Sequence, residues 1–345
     1  MTPAPLSLPS PRSEPLRGGP VLRWGVVAPG TIATDFVHAL HAHTDQRVSA
    51  VASRSPERAA AFATRHDIPR SYGDYGQLYD DPDVQIVYVA SPHSEHLRLA
   101  QDAIAAGKHV LVEKPLGLSA HQARQIRDRA REAGVFAMEA MWTRFVPRTD
   151  VMMQLHEDGA LGDVRLVMAD LGFAAPPGSG GRLFDPALGG GALLDLGVYP
   201  IWLSHLFLGT PISITARGTL TRSGVDEQSA LVMEYASDAQ ALLSTSIRVT
   251  TPGAAAISGT GGRLEIDANF VFPGGFTLTD PAGRRGRFED RSGLTHREGM
   301  AWQAAAVARH IDDGLSESPL HPLQSTIDVL ETIDEARRLL SVVSA

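Results

Sequence analysis

Gly25-Val26-Val27-Ala28-Pro29-Gly30-Thr31-Ile32-Ala33 is a short apolar run that turns, through Pro29 and Gly30, directly into a helical pattern. A strand opening at once into a helix aims the backbone N–H groups of the first helical turn at whatever binds there, and an anion suits them. Working outward, strand and helix patterns alternate: strands over residues 22–28, 47–53, 85–90, 109–112 and 135–139, and helices over 32–41, 56–66, 95–106 and 120–133. Such alternation implies βαβ units and a parallel sheet with helices on both faces. After Pro147 the pattern changes, and alternating strand-like runs at 165–171, 213–220, 230–235 and 241–249 suggest an antiparallel sheet. A Gly/Pro-rich loop over 174–191, a helix through about residue 207, and two closing helices near 300–313 and 323–341 complete the pattern. The expected fold class is α/β: a doubly wound, Rossmann-type parallel sheet over residues 21–145, then an α+β domain over 146–345 with a large, mainly antiparallel open sheet. The closing helices are free to pack back on the first domain.

Composition agrees with that division. At 345 residues the chain exceeds the roughly 250–300 that one core supports, so two domains are expected. Hydrophobic content of 43% and charged content of 20% are those of a soluble globular enzyme, and a formal charge of −8 argues against nucleic acid or an anionic membrane as a partner. Without cysteine, disulfides, thiolate zinc sites and cysteine nucleophiles are excluded. No uninterrupted apolar run approaches the ~18 residues of a membrane span. Residues 1–20, rich in Pro, Ser and Gly, lack the apolar core of a secretory signal and read as a flexible arm on a cytoplasmic protein.

Four clusters carry chemistry. Ala28, Gly30, Thr31 and Ile32 occupy the place of a dinucleotide fingerprint, with Ala28 where the first glycine is usual, Gly30 keeping the close approach and Ala33 the tight helix packing. The second strand ends Ser53-Arg54-Ser55, with Arg58 one turn on. A hydroxyl and guanidinium there, in place of an acidic residue, suit a 2′-phosphate and favour NADP over NAD, unless Arg54 is simply a solvated turn residue. Ser91, His93 and His96 follow the next strand and should line the cofactor channel. Their His-x-x-His spacing has no third ligand, so no metal is expected. Glu113-Lys114-Pro115 ends the strand after that, and Lys114 is one of only two lysines, the other being Lys108, in a chain that otherwise uses arginine. A compact ammonium on the ligand-binding edge can meet a reacting centre, though the same residue could be an ordinary surface lysine.

The fourth cluster is Gly189-Gly190-Gly191-Ala192-Leu193-Leu194-Asp195-Leu196-Gly197-Val198-Tyr199. Asp195 and Tyr199, four apart, share one helix face, where they form either a structural hydrogen bond or a prepared proton-transfer pair. If Lys114 faces them, its charge lowers the phenol from its ordinary ~10 toward a useful range.

Together with Ala105-Ala106-Gly107-Lys108-His109-Val110-Leu111-Val112-Glu113-Lys114-Pro115 and the closing Asp313-Gly314-Leu315-Ser316-Glu317-Ser318-Pro319, these segments resemble the glucose-fructose oxidoreductase, inositol dehydrogenase and rhizopine-catabolism (Gfo/Idh/MocA) family. The stretch 136–147 and a tyrosine at 199 are most similar to its dimeric dihydrodiol dehydrogenase and NADP-dependent xylose dehydrogenase branch. The resemblance implies that Lys114, which also meets the nicotinamide, contacts the substrate oxygen, that Asp195 holds the reacting hydroxyl and that Tyr199 transfers the proton. It also implies that Glu113 adjoins the cofactor, that Trp142 and Arg144 line the substrate pocket, and that the Lys114–Pro115 bond is cis. Its further implications are a homodimer, or dimer of dimers, through the second sheet and, from position and composition only, an arm that covers the cofactor.

The expected activity is hydride transfer between NADP and a carbinol carbon of a sugar, such as xylose or glucose, or of a cyclic trans-dihydrodiol. Two alternatives stand beside it: an NADPH-dependent reductase of a ketosugar of the anhydrofructose type, and a catalytically silent NADP-binding sensor. Substrate choice is expected to rest on loops such as 174–182.

Overall fold

Trp24, Val26 and Val27 are fully buried in strand β1 (Arg23–Val27), as a strand covered on both faces requires. In this computed structural model, which describes residues 6–176 and 181–343, β1 lies inside a six-stranded sheet with β2 (Arg47–Ala52), β3 (Arg70–Tyr72), β4 (Ile86–Val89), β5 (His109–Val112) and β6 (Ala137–Glu139). All neighbours pair in parallel, in the order β3-β2-β1-β4-β5-β6. Helices α1 (Thr31–His43), α2 (Pro56–Arg65), α3 (Tyr75–Tyr79), α4 (His96–Ala105) and α5 (Ala120–Ala133) supply the crossovers. Phe36 of α1 stacks on Tyr88 of β4 with ring centroids 3.8 Å apart and meets Trp24 edge-on at 5.4 Å, which packs α1 onto the centre of the sheet.

This sheet belongs to a unit made of residues 14–145 and 295–327. A second unit comprises 146–294 with the described residues 6–13 and 328–343. It contains α6 (Pro147–Glu157), β7 (Val164–Gly172), α7 (Val198–Leu208), β8 (Ser213–Leu220), β9 (Asp226–Glu234), β10 (Gln240–Ser246), β11 (Ala255–Gly259), β12 (Arg263–Ile266), β13 (Phe276–Thr279) and β14 (Arg285–Phe288). The strands order as β14-β13-β12-β11-β7-β10-β9-β8, antiparallel except for the parallel pair β7 and β10. Residues 229, 231 and 233 of β9 point inward while 228, 230, 232 and 234 face out, the period-two pattern of a sheet covered on one side. Helices α8 (Met300–Asp312) and α9 (Leu323–Val343) close the chain, α8 within the first unit.

Segment 186–208 has a mean hydropathy of 1.3, sufficient for a membrane helix by composition, yet 83% of that window is buried inside the protein. Its apolarity is that of a core element. Residues 6–20, expected as a flexible arm, have specific partners. The Leu6 amide donates to the Arg285 carbonyl beside the edge strand β14, and Arg12 pairs with Asp150 at 2.9 Å and Glu157 at 3.1 Å. Further on, Arg17 pairs with Asp45 at 3.2 Å and the Pro20 carbonyl accepts from Gln46. Residues 1–5 of that arm lie outside the described residues, as do residues 177–180 of the loop expected over 174–191.

Candidate active site

Helices α2, α3 and α5 begin under side-chain caps from Ser55, Asp74 and Ser119. Helix α1 begins at Gly30 with no side chain on its first-turn amides, and no acidic residue follows in that turn. A Cβ built on Gly30 would meet no protein atom within 4 Å, and its backbone is extended, so nothing in the fold demands glycine here. An uncapped helix start beside open space leaves first-turn amides suited to an anion, with Thr31 and Ile32 next to Gly30. Ala28, which replaces the usual glycine, sits at φ 59°, a left-handed conformation in which its side chain costs about 1–2 kcal/mol.

At the end of β2, Ser53 is buried with its hydroxyl accepting from the Ser55 amide at 3.2 Å, while Arg54 is exposed. Among the described residues Arg54 has no ion pair and no hydrogen bond, and Arg58 reaches back to the Pro29 carbonyl at 3.5 Å. The Arg58 guanidinium thus lies beside the loop after β1, and Arg54 follows the neighbouring strand β2. At the end of β4, the Ser91 hydroxyl lies 3.2 Å from the Pro92 carbonyl. His93 and His96 are both buried, with rings 5.6 Å apart. His96 lies between two carbonyls, its Nε2 3.0 Å from Ser91 and its Nδ1 2.8 Å from Pro115, and its single N–H donates to one of them in the neutral ring. It ties the loop after β4 to the loop after β5.

That second loop carries Lys114, half-buried, in a cis peptide bond to Pro115. Glu113 is buried beneath it, accepts from the Tyr88 hydroxyl, and takes the Lys114 amide at 3.3 Å. Burial pushes its carboxyl above the ordinary range, against the pull of Tyr88 and Lys114. The Leu116 amide donates to Glu139 Oε1 at 2.9 Å, and Glu139 is also bound by His321 and Thr326. This carboxylate escaped the sequence reading, where it stood only as the last residue of a strand. Its one signal was charge at the carboxyl end of an otherwise apolar run. Trp142 and Arg144 follow in a buried 3-10 turn, Arg144 donating to the Leu320 carbonyl at 2.9 Å.

In the second unit, Asp195 and Tyr199 are both buried. Asp195 lies in a π-helical turn, Leu193–Gly197, that runs into α7, which carries Tyr199. Such widened turns concentrate at functional sites. Arg182, at the end of the loop expected to set substrate choice, reaches Asp195 Oδ1 at 2.8 Å. Asp226 fixes the start of this segment by accepting the Leu193 amide at 2.7 Å. Gly191 has φ +114°, and a Cβ on it would lie 2.3 Å from Asp226 Oδ1, so only glycine lets the carboxylate close on the helix start. Among the described residues no group of three or more potential ligands is placed to hold a metal.

An open parallel sheet, a bare helix start at its carboxyl edge and a lysine two strands away define a dinucleotide-dependent oxidoreductase fold. Comparison with known proteins fixes the family. A profile described as an oxidoreductase family with an NAD-binding Rossmann fold matches residues 22–141, and the GFO/IDH/MocA C-terminal domain matches 150–265. The chain belongs to the GFO/IDH/MocA family and is an NAD(P)-dependent oxidoreductase. It is 36% identical to trans-1,2-dihydrobenzene-1,2-diol dehydrogenase of Xenopus tropicalis over 93% of this chain and 98% of the relative, and 32% identical to the human enzyme of that name over 93% and 97%. Among solved structures, aldose-aldose oxidoreductase from Caulobacter crescentus matches with a TM-score of 0.83 and 25% identity over 93% and 98% of the two chains. A 3-ketoreductase from Actinomadura kijaniata, in complex with NADP and TDP-benzene, matches with a TM-score of 0.79 and 27% identity over 92% and 98%.

Burial pushes the Asp226 carboxyl up to about 6, above its ordinary 3.8. The folded state therefore holds a proton that the unfolded chain has released between those values. The stability from this group is complete below about pH 4 and is lost as pH rises through about 6. Asp226→Asn is expected to gain on the wild type by roughly 2–3 kcal/mol between pH 4 and pH 7, compared by urea unfolding at each pH. A constant difference across that range would show that folding does not raise the Asp226 carboxyl above its ordinary value.

Proposed function

We propose that the protein is an NADP-preferring dehydrogenase that interconverts a carbinol and a carbonyl carbon on a sugar or a cyclic trans-dihydrodiol. The cofactor preference is carried by Arg54, exposed at the end of β2 and, among the described residues, without an ion pair or hydrogen bond, in a turn Ser53-Arg54-Ser55 that offers no carboxylate to a free ribose 2′-hydroxyl. The substrate class is supported by the 36% identity, over nearly the whole of both chains, with an enzyme named for a trans-dihydrodiol. Gly30, Thr31 and Ile32 would hold the pyrophosphate, and Ser53, Arg54 and Arg58 the adenosine ribose and its phosphate. When bound, the nicotinamide supplies the hydride or receives it.

The chain's own residues supply the rest. Lys114 presents a positive charge and three donors, suited to an oxygen that gains negative charge as hydride moves. Tyr199 gives a proton in reduction and takes it back in oxidation. Asp195, oriented by Arg182, accepts the hydrogen bond that holds the reacting hydroxyl. The same residues serve reduction of a ketosugar, a reading favoured to a lesser degree by the likeness to a 3-ketoreductase.

Purified protein mixed with NADP⁺ or NAD⁺ and a panel of aldoses, inositols and trans-dihydrodiols should show nicotinamide absorbance with NADP⁺ and one of these substrate classes. Tyr199→Phe should lower turnover at least 100-fold, the scale of general acid–base catalysis. Arg54→Asp should shift preference from NADP⁺ toward NAD⁺ by about tenfold or more, the loss of one charge-assisted contact. A wild type with equal efficiency on both cofactors would remove the Arg54 argument.

A homodimer through the second unit is part of the same proposal. Met168, Leu242 and Val232 are directly opposite one another across β7, β10 and β9 on the open face, each about 40% exposed. An apolar row on an uncovered sheet face suits a self-complementary interface. Sedimentation should give a dimer for the wild type and a monomer for Val232→Glu with Leu242→Glu, and a monomeric wild type at micromolar concentration would refute the interface.

A further inference from the structure

We infer that Glu139, held by His321 and Thr326, is a positioning residue that fixes the Lys114 loop for hydride transfer, an inference that rests on the reading of Lys114 as the group meeting the reacting oxygen. Glu139 ends β6, opposite Val112 of β5, so its side chain stands beside the chain leaving β5. It is only 1% exposed. A carboxylate so buried is costly unless its oxygens are fully bonded. Here Oε1 takes the Leu116 amide at 2.9 Å, while Oε2 is 3.0 Å from His321 Nε2 and 2.9 Å from the Thr326 hydroxyl. His321 and Thr326 are themselves 3.1 Å apart and buried, which closes the cluster.

The consequence falls on Lys114. Three successive residues of its loop are each gripped by a different buried side chain: the Lys114 amide by Glu113 at 3.3 Å, the Pro115 carbonyl by His96 at 2.8 Å, and the Leu116 amide by Glu139 at 2.9 Å. A lysine has four flexible side-chain bonds, so a fold can aim its ammonium only by fixing the backbone beneath it and walling the stem. Stability alone is a weak reason for this cluster, since well-packed apolar residues in place of buried, hydrogen-bonded ionisable groups are often as stable or more so. Glu139 also makes the loop depend on residues 182 and 187 positions further along the chain, so His321, just before α9, and Thr326, in its first turn, help to set the lysine.

The test uses full-length protein saturated with NADPH or NADP⁺, measuring single-turnover hydride transfer with protiated and deuterated substrate, NADPH affinity and melting temperature. Glu139→Ala should slow hydride transfer about 30- to 100-fold, the loss expected from a misplacement near 1 Å, with NADPH affinity within about threefold of wild type. Glu139→Gln, which still accepts from the Leu116 amide, should recover most of the rate. A folded Glu139→Ala with the wild-type hydride-transfer rate overturns the inference, because a purely structural residue changes melting temperature and not the rate of the folded enzyme. If Glu139→Ala does not fold, Thr326→Val decides, with about a 3- to 10-fold slower step expected and an unchanged step contradicting the inference. Lys114→Ala separates the two layers of argument. If it turns over normally, the reading of Lys114 itself is wrong; if it is inactive while Glu139→Ala is normal, only the positioning role falls.

Discussion

Parallel strands that run side by side end on the same edge, and the first unit depends on this constraint. With β1 and β4 adjacent and the strand order reversing between them, the turns after β1, β2, β4 and β5 are brought to one edge of the sheet. Each turn then contributes one kind of chemistry: bare amides at Gly30, cations at Arg54 and Arg58, a structural histidine at His96, an ammonium at Lys114. The four turns are well separated in sequence. The sheet supplies the proximity, and its buried, mainly apolar central strands supply the rigidity.

Polar groups are buried in both units where a functional segment must be held. Glu113, His96 and Glu139 clamp successive residues of the lysine loop, and Asp226 clamps the start of the segment carrying Asp195 and Tyr199. In each case a buried oxygen or nitrogen is satisfied by a backbone group of the segment it holds. The upward push on Glu113 and Asp226 is the electrostatic trace of that arrangement: burial disfavours their charge more than the donors around them favour it.

Much of this was legible in the sequence because it depends on local pattern. The run His109–Val112 and the helix Ala120–Ala133 stand at the bounds their residues suggest, since a β-branched run and an apolar stripe behind a serine cap are local signals. The short segments β3 and α3 were not read, nor were α6 and the hairpins β11 to β14. Arg285-Gly286-Arg287-Phe288 has no strand signature of its own and pairs because β13 lies beside it. In the site, Gly30 and Lys114 announced themselves by type and position. Glu139 and Arg182 did not, because their meaning comes from partners: His321 and Thr326 far along the chain for one, a buried aspartate for the other. Tethering of residues 6–20 was hidden for the same reason, since composition reports the chain's intrinsic flexibility and not the acceptors waiting for Arg12 and Arg17.

The central claim is that Gly30 and the bare start of α1 serve a bound dinucleotide and not the fold. Calorimetric titration of NADP⁺ into wild type and Gly30→Val, with melting curves of both proteins free of ligand, tests it most directly. The account predicts an unchanged melting temperature, because a Cβ built on Gly30 has open space around it, with no protein atom beyond its chain neighbours within 4 Å, together with at least a tenfold loss of NADP⁺ affinity. Undiminished NADP⁺ binding by a stable Gly30→Val protein would contradict it.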